Sequence, residues 1–240
     1  MTKKVIIIGA TSGIGKSLAK YYAQHEYEVG ITGRRSGLLT EIARELPDSK
    51  FFAAEMDVAQ AQSAIEILND LVEKMGGVDI IVINAGVGFP KANLEQELQT
   101  VDVNARGFLA LAHWSYQHFK LKGKGKLVGI SSVAAVRSSP YSPEYHATKA
   151  FMASYLEGLR LRSKKWKDGV DVIEIRPGYV DTDMTKGQKG MFWVATPEKA
   201  AKQIFKAVDA NKSVAYITRR YRLIGLLVSI LPEWLLAKVL

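Results

Sequence analysis

The chain contains no cysteine. Disulfides and thiolate metal sites are thereby excluded. Histidine is nearly as scarce: the 4 present are scattered, with neither H-E-x-x-H nor another ligand spacing, so no metal site is expected. Long apolar runs are missing as well, and no stretch reaches the roughly 20 uncharged residues of a spanning helix. Met1-Thr-Lys-Lys passes at once into strand-like residues, which leaves no room for the apolar core of a signal peptide. A cytoplasmic protein is the expectation.

Acidic residues are also under-represented: 24 Asp and Glu stand against 33 Lys and Arg, for a formal charge of +9. Such a surplus suits nucleic acid, an anionic membrane or an anionic cofactor. The basic residues are widely spread. Their local clusters, Lys120–Lys126 and Ser163–Lys167, read as a loop leading into a strand and as a helix end. Neither is interleaved with stacking aromatics, so nucleic-acid binding is not expected.

What the chain does contain is a regular alternation of short apolar runs and amphipathic stretches, without an internal linker. The 240 residues suit one α/β domain with a substantial core. Strands are predicted near Val5–Ile8, Val29–Thr32, Phe51–Ala54, Ile80–Ile83, Leu127–Ile130, Val172–Ile175 and Val214–Ile217. Helices are predicted around Ile14–Gln24, Gly37–Leu46, Gln60–Met75, Leu94–Phe119, Tyr145–Trp166 and Pro197–Asn211. The pattern implies a three-layer, doubly wound α/β fold, with a mainly parallel seven-stranded sheet covered by helices on both faces. Right-handed crossovers gather the carboxyl ends of the strands around one crevice. Gly9, Gly33, Asp57, Asn84, Ser132 and Pro177 each follow one of the first six strands and converge there.

The first strand runs into Gly9-Ala-Thr-Ser-Gly13-Ile-Gly15 and then a helix. Glycines in this setting permit a tight turn and close approach of backbone to pyrophosphate, with amides at the helix start facing the anion. Thr11, Ser12 and Ile14 belong to the same loop. Ala10–Ser17 also resembles a relaxed phosphate-binding loop of nucleotide triphosphatases. Gly13 and Gly15 already account for the turn, however, and no later strand ends in a magnesium-binding aspartate. Lys16 therefore reads as a solvated helix residue.

Tyr145 and Lys149, spaced i and i+4, share one face of a helix. An ammonium beside a phenol favours the phenolate and brings its pKa toward working pH, which suits a general acid/base. Ser132, at a strand end, offers a hydroxyl to a carbonyl oxygen as negative charge develops on it.

These features resemble the short-chain dehydrogenase/reductase family from about Lys3 to Val214. Asp57-Val58, Asn84-Ala85-Gly86, Asn104, Ser132, Tyr145 with Lys149, and Pro177-Gly178-Tyr-Val180-Asp-Thr182 stand in the family's order. The resemblance implies a nicotinamide-dependent oxidoreductase. Tyr145 would move a proton to or from the substrate oxygen, Ser132 would orient that oxygen, and Lys149 would lower the tyrosine pKa and hold the nicotinamide ribose. Asn104 would position a water that relays protons to Lys149. Asp57 and Val58 would contact adenine, and Asp57 also reads as a helix N-cap before Ala59. Asn84, Ala85 and Gly86 would let the backbone approach the cofactor ribose. Pro177, Gly178, Val180 and Thr182 would close over the nicotinamide. NAD-using enzymes of this fold place an acid after the second strand. Here stand Gly33, Arg34 and Arg35, which suit a 2′-phosphate. NADP(H) is therefore the expected cofactor, with NAD(H) as the other candidate, and Arg34 is the first choice for the contact, aided by Ser12 and Arg35.

Other readings compete. Ser132 with Lys149 would make a serine–lysine hydrolase, but no G-x-S-x-G elbow surrounds Ser132. A catalytically silent NADP-binding sensor would need a blocked pocket. Between Thr182 and Pro197, the residues Met184, Met191, Phe192 and Trp193 form either a mobile lid over an apolar carbonyl or alcohol substrate or an aromatic anchor to the protein body. Residues 219–240 form an apolar C-terminal extension, too short to cross a bilayer and interrupted by Pro232. It meets a neighbouring subunit, the substrate mouth or, as a peripheral contact, a membrane surface. The family resemblance implies a homodimer or homotetramer built on the helices Leu94–Phe119 and Tyr145–Trp166.

Overall fold

The computed structural model describes residues 2–187 and 190–239. Seven strands form its sheet: β1 (Lys4–Ile8), β2 (Glu28–Gly33), β3 (Phe51–Glu55), β4 (Ile80–Ile83), β5 (Gly125–Ile130), β6 (Val170–Pro177) and β7 (Val214–Ile217). Their order is β3-β2-β1-β4-β5-β6-β7, and every neighbouring pair is parallel. The helices are α1 (Gly13–Ala23), α2 (Ser36–Glu45), α3 (Ala61–Met75), α4 (Leu94–Val101), α5 (Phe108–Lys122), α6 (Pro143–Trp166), α7 (Pro197–Asp209), α8 (Tyr221–Ile230) and α9 (Glu233–Val239).

Parallel strands buried on both faces need apolar residues at consecutive positions, and β1 supplies Val5-Ile-Ile-Ile8, all fully buried. Alternation sends Val5 and Ile7 into a layer with Leu18 and Tyr22 of α1, Leu39 and Ile42 of α2, and Ile204 of α7. Ile6 and Ile8 enter the opposite layer with Leu68 and Leu71 of α3, Phe108 and Leu111 of α5, and Met152 and Leu156 of α6. Each such side chain contributes roughly 1.5–3 kcal/mol by leaving water. The chain departs from β1 on one side to β2 and β3, then returns on the other side to β4. The crevice opens at that reversal.

Local signals account for the helix ends. Thr196 Oγ1 accepts from Lys199 N at 3.2 Å, with Pro197 in the first turn. Asn93 and Gln96 form a reciprocal capping box at the start of α4.

Four boundaries correct the sequence expectation. The stretch Leu94–Phe119 is not one α-helix: a π-helix, Asp102–Gly107, separates α4 from α5. Its wider turns carry Asn104 to a fully buried position. Gly107 comes so close to Val58 that a Cβ would lie 2.1 Å from its carbonyl oxygen. The helix carrying Tyr145 begins earlier, at Pro143, because proline is pre-organised for a first turn. The Lys120–Lys126 cluster is helix end and strand start, leaving only Gly123 and Lys124 between them. Asp57 Oδ1 accepts from Ala59 N at 3.0 Å, but α3 begins at Ala61. That carboxylate therefore closes a turn and does not cap the helix.

Candidate active site

The carboxyl ends of the strands enclose a cleft of about 290 Å³. Gly9, Thr11, Ser12, Gly13, Ile14, Arg34, Arg35, Asp57 and Val58 line one half, and Asn84, Ala85, Gly86, Ser132, Tyr145, Lys149, Pro177, Gly178, Val180 and Thr182 line the other. Gly15 and Asn104 stand behind this lining. Gly15 is required for packing: a Cβ there would lie 2.1 Å from the Gly9 carbonyl oxygen. Asn104 supports the wall from behind. Its Oδ1 accepts from Val87 N at 2.9 Å, and its Nδ2 donates to Val87 O at 2.7 Å.

The glycine loop is shaped for close approach. Gly9 has φ +88°, and a Cβ would meet Ala85 backbone at 2.6 Å. Asn84 Nδ2 donates to Gly9 O at 2.7 Å, which ties the loop to the end of β4. Ser12 precedes α1 without a side-chain cap, and the first turn of α1 has no acid. The leading amides of α1 are thus left for an anion. Arg35 donates to Thr11 Oγ1 at 2.9 Å and to Ser12 Oγ at 3.1 Å. Arg34, the first choice by sequence, is exposed at the cleft edge with no hydrogen bond or ion pair among the described residues. Lys16 is ion-paired with Glu45 at 3.0 Å, on the outside of the fold.

Tyr145 and Lys149 face the cleft from the first turns of α6, and Ser132 follows β5. Ser132 Oγ accepts from Ala134 N at 3.1 Å, and its hydroxyl faces the Tyr145 phenol. Lys149 Nζ donates to Ile130 O at 3.1 Å and lies 5.6 Å from the Tyr145 ring centroid. Burial raises the Tyr145 pKa, while the Ser132 hydrogen bond pulls it down. This reverses the direction expected from the adjacent ammonium: desolvation of the phenolate prevails. Burial likewise lowers the Lys149 pKa, to about 8.

The Lys149 shift has a measurable consequence. Between pH 8 and 10.5 the unfolded chain holds a proton on this residue that the folded protein has released. Burying the charge costs stability below pH 8, and that cost disappears as pH rises through this window. Relative to a Lys149→Met variant, wild type is expected to gain on the order of 3 kcal/mol between pH 7 and pH 10.5. Denaturant melts of both proteins at the two pH values check this. A constant gap would refute it.

Sequence reading missed several residues here. Thr185 Oγ1 donates to Val180 O at 2.7 Å and accepts from Thr182 N at 3.1 Å, fixing the turn that lines the cleft. Behind Ser132, Ser131 Oγ donates to the fully buried Glu174 at 2.7 Å. Arg176 grips the same carboxylate through Nε at 2.7 Å and Nη2 at 2.9 Å, and donates to Tyr216 Oη at 3.0 Å. Glu174 and Arg176, opposite charges two residues apart on one face of β6, were the available signal. Phe192 and Trp193 pack on Tyr221, with centroids 5.7 and 5.9 Å away, and Phe192 also meets Tyr179 at 5.8 Å. Of the two readings of this segment, the structure displays the aromatic anchor. Only Met184 of its four large apolar residues lines the cleft.

The chain matches the family model of the short chain dehydrogenases over residues 3–191, and it belongs to that family. An uncharacterized oxidoreductase of Mycobacterium tuberculosis is 30% identical over 224 residues, covering 90% of this chain and 88% of its own. A sorbose reductase of Schizosaccharomyces pombe is 32% identical over 194 residues, covering 76% and 75%. Among solved structures, an alcohol dehydrogenase from the archaeon Thermococcus sibiricus complexed with 5-hydroxy-NADP superposes with TM-score 0.79 at 25% identity, covering 90% of this chain and 95% of that one. A 3-ketoacyl-(acyl-carrier-protein) reductase from Brucella melitensis complexed with NADH gives 0.80 at 25% identity, over 89% and 95%.

Proposed function

We propose that this protein interconverts a carbonyl compound and an alcohol with NADP(H), the whole chain acting as one cofactor-binding unit. The observation that carries the reading is the meeting of Ser132, Tyr145 and Lys149 in one cleft with an uncapped, glycine-lined helix start.

The residues present fit a dinucleotide. Gly9 and Gly13, both at positive φ, let the loop turn with its backbone in the cleft wall, the leading amides of α1 suit pyrophosphate, and Asp57 with the Val58 amide suits adenine. Arg34 and Arg35 suit a 2′-phosphate, and no acid stands between β2 and α2. Asn84, Ala85, Gly86 and Lys149 would hold the nicotinamide ribose, and Pro177, Gly178, Val180 and Thr182 the nicotinamide end. When bound, the cofactor supplies or accepts hydride.

The chain's own part is proton traffic and orientation. The Ser132 hydroxyl aligns the substrate oxygen beside the Tyr145 phenol. Because burial raises its pKa, that phenol is protonated at neutral pH and stands ready as an acid. The reading thus favours reduction at neutral pH, with oxidation requiring the phenolate. Lys149 sets the field around the phenol, and Asn104 fixes the Val87 wall opposite. Val87, Ile130 and Met184 give the cleft apolar lining, which suits an apolar ketone, aldehyde or secondary alcohol. A homodimer or homotetramer through the exposed apolar residues of α4 and α6, such as Leu98 and Phe151, belongs to the same proposal. A panel of apolar carbonyl compounds, followed by NADPH absorbance with NADH in parallel, tests the reading. Turnover of several members is expected. Cofactor binding with no turnover of any compound would favour the silent sensor instead.

A further inference from the structure

The C-terminal helices present an apolar face that the other described residues leave uncovered. In α8, Tyr221 and Gly225 point inward and are buried. Leu223, Leu226, Leu227 and Ile230, spaced i, i+3, i+4 and i+7, form one stripe on the outside. Leu226 is 66% exposed and Ile230 74%, and Trp234 of α9 is exposed beside them in sequence. Isolated exposed leucines are ordinary; a whole helix stripe of them marks a contact surface.

The charge around the stripe selects the partner. Arg219, Arg220 and Arg222 lie exposed at the start of α8, and none forms an ion pair among the described residues. Across residues 216–240 these three and Lys238 face a single acid, Glu233. A basic rim around an apolar helix face complements an anionic lipid surface. Two copies of the same basic face would repel each other. No helix among the described residues is long and apolar enough to cross a membrane, so the contact lies in the plane of the interface.

The inner side of α8 joins this surface to the cleft. A Cβ on Gly178 would lie 2.1 Å from the Tyr221 ring, and the Tyr221 hydroxyl donates to Phe192 O. The Arg220 guanidinium lies 5.8 Å from the Trp193 ring centroid. Phe192, Trp193 and Val194 are themselves partly exposed, so the apolar surface continues from α8 to the segment bordering the cleft.

We propose that α8 and α9 dock this protein on an anionic phospholipid bilayer, with the leucine stripe and Trp234 in the acyl boundary and the arginines at the headgroups. Docking sets the cleft border against the bilayer, where lipid-dissolved apolar substrates are concentrated; that second half rests on the carbonyl–alcohol reading above.

Co-sedimentation of the full chain with vesicles tests the docking without any turnover measurement, so it fails or succeeds apart from the proposed activity. Vesicles of mixed phosphatidylcholine and phosphatidylglycerol are expected to bind on the order of 10–100-fold more strongly than phosphatidylcholine alone at low salt. A Leu226→Ser/Ile230→Ser double variant, altered only at exposed positions, is expected to bind on the order of tenfold less and to melt as wild type does. An Arg219→Ser/Arg222→Ser variant is expected to lose most of the preference for anionic vesicles. Absence of binding to anionic vesicles would overturn the proposal, as would equal binding of wild type and the leucine variant. A lipid-free dimer that the leucine variant dissociates, with no vesicle binding by wild type, would assign the face to a second copy and overturn it as well.

Discussion

Tyr145→Phe is expected to reduce turnover on the order of 10²–10⁴-fold, the range supplied by a positioned general acid/base. Cofactor affinity should stay within about twofold, because ring and backbone are retained. The ring packs against Gly88 so closely that a Cβ there would lie 2.7 Å from Tyr145 Cδ2. Phenylalanine keeps that contact and loses only the hydroxyl facing Ser132. The pH dependence has a definite sign. Burial raises the Tyr145 pKa, so the wild-type phenol keeps its proton on the neutral side, and reduction should hold there and fall at alkaline pH. Oxidation of the alcohol should rise with pH over the same span. Steady-state rates in both directions, with cofactor titration by fluorescence, check each part. A phenylalanine variant retaining more than about a tenth of wild-type turnover would remove Tyr145 from the acid/base role.

Arg34→Asp is expected to raise the KM for NADPH on the order of 10–100-fold while leaving that for NADH little changed. The magnitude follows from a charge-assisted contact of about 1.5–3 kcal/mol. Arg34 is free to change because it makes no described contact within the fold. Arg35 is different: it holds Thr11 and Ser12 in the glycine loop, so Arg35→Ala should weaken both cofactors together. Parallel titrations of the two variants separate recognition of a phosphate from support of the loop. Equal losses for both cofactors in Arg34→Asp would refute the assignment of Arg34 to the 2′-phosphate.

Much of the fold was legible in the chain because parallel strands buried on both faces leave a strong mark. Val5-Ile-Ile-Ile8, Ile80-Ile-Val-Ile83 and their counterparts are continuous apolar runs separated by helix-length amphipathic stretches. The helix breaks were less visible. Asn104 and Gly107 lie in a stretch whose apolar periodicity continues across them, and the π-turn answers to Val58 and Val87, which are distant in sequence. Glu174 is a mixed case: its partner Arg176 stands two residues along the same strand, whereas Ser131 and the Arg176-bound Tyr216 join them only through pairing with neighbouring strands.

Protonation was the part least accessible to spacing. Residues i and i+4 on a helix place Tyr145 and Lys149 side by side, and Coulomb's law by itself predicts a more acidic phenol. Whether desolvation outweighs that attraction depends on what covers the pair, and the covering comes from Gly88, Ser132 and Ile130 on other segments.

The sequence by itself determined the alternation of strands and helices, the crevice at their carboxyl ends and the residue types delivered to it, because periodicity and glycine spacing are local properties. Tertiary structure decided which arginine braces the loop, which way the phenol and ammonium titrate, and which face of the last helix looks outward. Those outcomes depend on burial and on distances between segments far apart along the chain, which no single stretch of residues contains.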